Sequence, residues 1–217
     1  TGTSKNQTYV SVSATNSTGI LPNNKYERYN VSGRNTASFL NDKLTLDFGA
    51  NLIFQNDRNM TAQGRYFNPL TSLYLFPRAE NFDAVRMYER YNEGLGIYEQ
   101  YWPYETQSME LQNPYWTMNR IIRENKKKRF MTNASLKWNI IEGIDITGRL
   151  KYDKTDMRST DKRYASTIEQ FASAYGGYYD IRKEYSSFYG DIMLNIAKTF
   201  KDNTWSVNAN IGASIND

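Results

Sequence analysis

From Lys43 to Gln55 the chain alternates. Leu44, Leu46, Phe48, Ala50, Leu52 and Phe54 share one face, and Thr45, Asp47, Gly49, Asn51 and Gln55 share the other. Ile53 is the one apolar intruder on the second face. A period of two describes a β-strand with one apolar side and one wet side. The run has about the length that a tilted membrane-crossing strand needs, roughly 9–11 residues. Similar runs surround Val10, Val31, Leu136, Ile146, Leu194 and Val207, and predict about seven strands in all. Asn35 interrupts the apolar side of the run around Val31, and the sequence offers no reason for it.

The wet sides carry Arg34, Asp47, Asn51, Arg149, Lys151 and Asp153. Such residues cannot share a dry interior without paired partners, whereas an aqueous lumen accepts them. The connections alternate in length. Short turns are expected at Asn41–Asp42, at Glu142–Gly143 and around Lys201–Asn203. Long connections are expected from Asn16 to Lys25, from Asn56 to about Met118, and from about Arg158 to Tyr185. All five prolines fall in these long connections, so none removes a donor from a strand. Short turns at one end and long loops at the other is the layout of an outer-membrane barrel. The expected fold is therefore all-β: an antiparallel up-and-down meander, part of a larger transmembrane β-barrel with long extracellular loops. In the longest connection, at 57–118, Asn81 followed by Phe82, Val85, Tyr88 and Tyr91 at a spacing of three suggests a short amphipathic helix. The other reading of the alternation is a soluble sandwich, a secreted carbohydrate-binding β-module with aromatic loops.

Composition narrows the chemistry. Aromatic residues make up 15% of the 217 residues, the mixture expected of interfacial girdles. Mean hydropathy is −0.75, which a barrel reaches easily because only alternate strand residues meet lipid. No apolar run is long enough for a transmembrane helix. The chain has no Cys and no His, which excludes disulfides, thiolate metal sites and histidine-based catalysis. No metal, no cofactor and no enzymatic activity is expected. A net charge of +4 is too mild to call for nucleic acid, and no nucleic-acid-reading motif is present.

Two groups of residues are candidates for binding. Lys126, Lys127, Lys128, Arg129 and Arg163 sit at the extracellular level of their strands and are candidates for lipopolysaccharide phosphates, to which Lys and Arg make charge-assisted hydrogen bonds. The loop aromatics Tyr66, Phe67, Tyr74, Trp102, Tyr104, Tyr115 and Trp116 could stack on sugar rings, or pack among themselves. The wet-side charges, Asp191 among them, could hold another domain, line a path for substrate, or be hydrated.

The segments KNQTYVSVSATNSTGILPNN, NTASFLNDKLTLDFGANLIFQND, GRYFNPLTSLYLFPR, QNPYW, NASLKWNIIEGIDITGRLKYD and NANIGASIND occur in this order across the whole chain. In this order they resemble the SusC/RagA-type TonB-dependent receptors, outer-membrane proteins of Bacteroidetes. The resemblance implies a plugged barrel of about 22 strands. It also implies import of oligosaccharides or peptides, a SusD-like surface lipoprotein as lid, and TonB as energy source. The loop aromatics would then be contacts for substrate or for that lipoprotein. Residues 1–217 are expected to be a partial barrel. The plug domain, the TonB-contacting segment and barrel closure are expected in other parts of a full-length protein.

Overall fold

The computed structural model describes residues 1–104, 111–200 and 204–217. Its elements are β1 (Gly2–Thr3), β2 (Asn6–Thr18), β3 (Lys25–Phe39), β4 (Leu44–Arg58), α1 (Pro69–Tyr74), a 3₁₀ turn (Phe82–Arg86), β5 (Glu89–Asn92), β6 (Ile97–Gln100), α2 (Pro114–Arg120), β7 (Ile121–Ile141), β8 (Ile144–Arg163), β9 (Gly177–Phe200) and β10 (Trp205–Asn216). Eight strands form one sheet in the order β1-β2-β3-β4-β7-β8-β9-β10, and β5 and β6 form a separate hairpin. Every pair is antiparallel, so the main sheet is an up-and-down meander, with edges at β10 and at β2 beyond the short β1. The seven long strands of this sheet are the seven alternating runs; β1 is a two-residue addition.

Pairing places the alternating apolar residues of the long strands on one face, with Ile53 and a few others on the opposite one. Leu46 lies between Ala37 and Leu136, and Leu52 lies between Val31 and Phe130. Most of the large members of this face are exposed, among them Leu46, Phe48, Leu52, Phe54, Leu136, Trp138, Leu150 and Ile192. Asn35 stands on the same face, and the structure explains it. Its Nδ2 donates to Asn6 Oδ1 and Thr8 Oγ1, both at 2.7 Å, so its polar group is satisfied by the adjacent strand.

The apolar band does not follow the rows of paired residues. Its upper limit is Tyr29 on β3, Phe54 on β4, Phe130 on β7, Tyr152 on β8, Phe188 on β9 and Ile215 on β10. Traced through the pairing, Tyr29 is level with Phe54, but Ile215 is level with Phe48. The lower limit drifts alike, from Phe39 opposite Leu44 to Trp205 opposite Phe200. The band thus slips by about six residues over five strand spacings, roughly 20 Å along the strands against roughly 24 Å across them. Its axis is inclined to the strands by about 40°, within the tilt range of membrane barrels. From Leu44 to Phe54 the strand runs about 33 Å, so at that inclination the band is about 25 Å tall.

The turns match their sequences. Leu40, Asn41 and Asp42 have φ of 52°, 53° and 64°, and Gly143 has φ of 79° between Ile141 and Ile144. The turn expected at Lys201–Asn203 lies outside the described residues. One connection differs from expectation. β8 continues to Arg163 and β9 begins at Gly177, so the loop between them is residues 164–176, shorter than the stretch from Arg158 to Tyr185. Above the band both faces are polar, so the hydrophobic alternation stops while the backbone pairing goes on.

Candidate functional site

The best-packed part of the chain is the cap at the long-loop end of the sheet. Trp116, Gln112, Val85 and Asn113 are the largest fully buried side chains, and all belong to the segment between β4 and β7. Its two helices start alike. Asn68 and Asn113 accept hydrogen bonds from the backbone N–H two residues on, and Pro69 and Pro114 occupy the first helical position. Asn is a strong N-cap and Pro at that position loses no helical hydrogen bond. These Asn-Pro pairs are visible in the sequence as helix starts, although the reading above places a helix only after Asn81. There the structure has a 3₁₀ turn, capped by Asn81 and ended at Arg86; Tyr88 lies beyond it and Tyr91 lies on β5. A spacing of three suits a 3₁₀ turn better than an α-helix.

Buried polar groups tie the cap together. Asn113 Nδ2 donates to the carbonyls of Val85 (2.9 Å) and Tyr101 (3.1 Å), and its N–H donates to Gln100 Oε1 (2.8 Å). Gln112 Nε2 donates to the carbonyl of Tyr66 at 2.8 Å. Several bonds join the cap to the β8–β9 loop, among them Gln100 N–H to Ser166 Oγ (2.9 Å), Gln100 Nε2 to the Ser166 carbonyl (3.2 Å) and Trp116 Nε1 to Thr167 Oγ1 (3.2 Å). At the foot of α2, Arg120 makes a two-pronged contact with Glu89, at 2.6 and 2.8 Å. That hydrogen-bonded carboxylate raises the Arg120 guanidinium above its ordinary value. Burial pushes Arg123 in the opposite direction. Asn59 fastens β4 to β7, accepting from Arg123 N–H at 2.9 Å and donating to the Met118 carbonyl at 3.2 Å.

The loop aromatics take different positions. Trp116 is 0% exposed, so it is the centre of the cap and is not available as a contact for substrate or lipoprotein. Tyr66 and Phe67 pack on Phe171, at 4.9 and 5.1 Å between ring centres, with the Arg163 guanidinium over Phe67. Trp102 and Tyr104 gather around Phe76, and Tyr115 stacks on Tyr88. Tyr74 stands apart, 83% exposed, with Leu73 and Leu75 exposed beside it. Tyr91, read in the sequence as part of a helix, is exposed on β5, and Tyr98 and Tyr175, which no pattern in the sequence marks, are exposed as well.

Strand parity divides the five basic candidates. Lys126 and Lys128 share the face of Phe130, whereas Lys127 and Arg129 lie on the polar face. Arg163 is level with Ile121, also on the polar face. Arg129 is paired with Asp153, and Arg163 with Asp161 and the Phe171 carbonyl (2.6 Å). Lys127, Arg129 and Arg163 are thus turned away from the apolar face, and Lys126 and Lys128 share it. The alternation through Phe130 already carried that information.

The polar face is laced by its own charges. Arg34 holds Asp47 at 2.8 Å, Arg149 holds Asp191 at 3.0 Å, and Asp145 accepts from Asn195 at 2.7 Å. Most of the wet-side charges picked out in the sequence therefore meet one another across strands.

No family model matches the chain, and no curated protein matches it. Among solved structures, it aligns over 99% of its length with a chain described as "Structure of the RagAB peptide transporter", at a TM-score of 0.69 and 15% identity. It spans 24% of that chain. At this identity the likeness is one of fold, and it is the fold expected from the SusC/RagA resemblance.

Proposed function

We propose that the chain is a stretch of wall, with its extracellular loops, in an outer-membrane transporter barrel of SusC/RagA type. The observation that carries this reading is the apolar band. It is exposed, it is about 25 Å tall, and it is inclined to the strands at the angle that a closed barrel imposes. Closure staggers the strands of any barrel, and it is the exposure of the inclined apolar band that suits a bilayer. The fold shared with a chain of the RagAB peptide transporter supports the same reading. A carbohydrate-binding sandwich would need a second layer over the band, and among the described residues none lies there.

In this reading the polar face lines the lumen and meets the plug, the cap lies on the extracellular side, and the cargo is an oligosaccharide or a peptide. A SusD-like lipoprotein covers the mouth, TonB drives import through other parts of the protein, and the chain has no catalytic role. Tyr74, with Leu73 and Leu75, is the part of the cap best placed to meet that lipoprotein. The test is fractionation of the intact protein. Recovery from outer membranes only with detergent, together with a surface lipoprotein, is the expected result. Recovery as a soluble monomer would replace this reading with the carbohydrate-binding module.

A further inference from the structure

Above the band, the lipid-facing side turns basic. The alternation that puts Phe130 on this face continues through Lys128 and Lys126. In register, Lys126 is level with Arg158 of β8, and Arg158 with Arg182 of β9. Three cations stand abreast on adjacent strands, each about 4.8 Å from the next. Of the acids on this face, Glu27 is engaged with Lys25, Glu124 with Arg58 and Glu184 with Lys154, Asp180 is held by Arg158 within the row, and Asp156 stands level with Lys128 on β8. Among the described residues, no carboxylate is in contact with Lys126 or Lys128. A shallow hollow beside them is lined by Lys126, Arg158, Lys162, Thr160 and Tyr178, with Glu124 as its one acid. At the inclination of the strands, Lys128 and Lys126 stand about 5 and 10 Å above the band. The headgroup layer adds about 5–8 Å to each side of the hydrocarbon, so Lys128 stands within it and Lys126 at its outer edge, within reach of a flexible side chain that can bend down to it.

We propose that Lys126 and Lys128, flanked by Arg158, hold the phosphates of lipopolysaccharide in the outer leaflet. The proposal rests on the lipid-facing reading of the band. Arg158 and Arg182 share Asp180, whereas among the described residues Lys126 and Lys128 have no ion pair of their own; a polyanion supplies what these two lysines lack, and lysine binds phosphate as a point charge without demanding a fixed geometry. The neighbour in sequence, Lys127, is excluded because it faces the lumen.

The test uses the intact receptor purified from outer membranes in mild detergent, with lipid A phosphate retained per protein measured by mass spectrometry. Lys126→Gln with Lys128→Gln should lower retention more than tenfold, since each surface lysine contributes about fivefold. Lys127→Gln should leave it within about twofold of the unchanged protein, as an opposite-face control. Equal retention in the double variant, or equal loss in the control, overturns the proposal. Displacement of the lipid by excess inorganic phosphate would make this a free-anion site and also overturn it. Heat-modifiable migration on gels reports folding and membrane assembly separately. Receptor that assembles but shows no lysine effect refutes this site alone. Receptor that never enters the membrane refutes the lipid-facing reading and this site with it.

Discussion

Arginine placed along the apolar face should reveal the inclination of the band directly. On β4 the band runs from Leu44 to Phe54, so its middle falls at Phe48 and Ala50. On β10 it runs from Trp205 to Ile215, so its middle falls near Ile211. Ile215 is level with Phe48 in the pairing, yet it sits at the upper limit of the band. Arginine costs roughly 2–4 kcal/mol at the middle of a bilayer and about 0–1 near its interfaces. Each two-residue step changes depth by about 5 Å, so the cost should fall away within two or three steps on either side. Phe48→Arg and Ile211→Arg should therefore each cost roughly 2–4 kcal/mol relative to alanine at the same site, and Ile215→Arg about 0–1. The assay is reversible urea unfolding of the intact barrel in lipid vesicles, followed by tryptophan fluorescence. Equal costs at Phe48 and Ile215 would mean that the band follows the register, and the tilt argument would fail. A cost independent of position along β4 would remove the bilayer from the account altogether.

Three further outcomes follow from local geometry. Gly143→Ala should destabilise the β7–β8 turn by roughly 1–3 kcal/mol, because φ is 79° and an added Cβ would lie 2.3 Å from the Ala197 carbonyl oxygen; unchanged urea midpoints would contradict this. Trp116→Ala should cost the cap about 3–5 kcal/mol and open residues 59–120 to limited proteolysis, while Trp116→Phe should be milder; a cap equally resistant in both would show that Trp116 is not its centre. The hydrogen bond from Arg158 holds the Asp180 carboxyl below its ordinary value. This contribution is present above the ordinary aspartate range and is lost as pH falls through the lowered value. The carboxyl ¹³C shift of Asp180 should accordingly titrate low, and Arg158→Gln should return it to the usual range; an unshifted titration in the unchanged protein would refute the pairing.

Much of the fold is legible without coordinates, because strand periodicity is local. The period of two around Leu46, Leu136 and Ile146 marks the strands and their faces, and residues that tolerate positive φ, such as Asn41, Asp42 and Gly143, mark the turns. The Asn-Pro starts of α1 and α2, and the parity that separates Lys126 and Lys128 from Lys127, are also present in the sequence, though they have to be followed residue by residue. The upper ends of β8 and β9 are not legible, since a strand wet on both faces has no alternation to read.

What the sequence determined by itself is what each strand carries: which residues are apolar, how far the apolar run extends, and which neighbours share a side. What only the tertiary structure decided is how those runs lie against one another. That Arg149 meets Asp191, that Asn35 is satisfied by Asn6 and Thr8, and that Trp116 is buried beneath Thr167 all depend on pairs distant in the chain. The inclination of the band depends on the register of six successive strands taken together. No single segment contains that register, because it is set by backbone hydrogen bonds between strands, and these carry no side-chain signature.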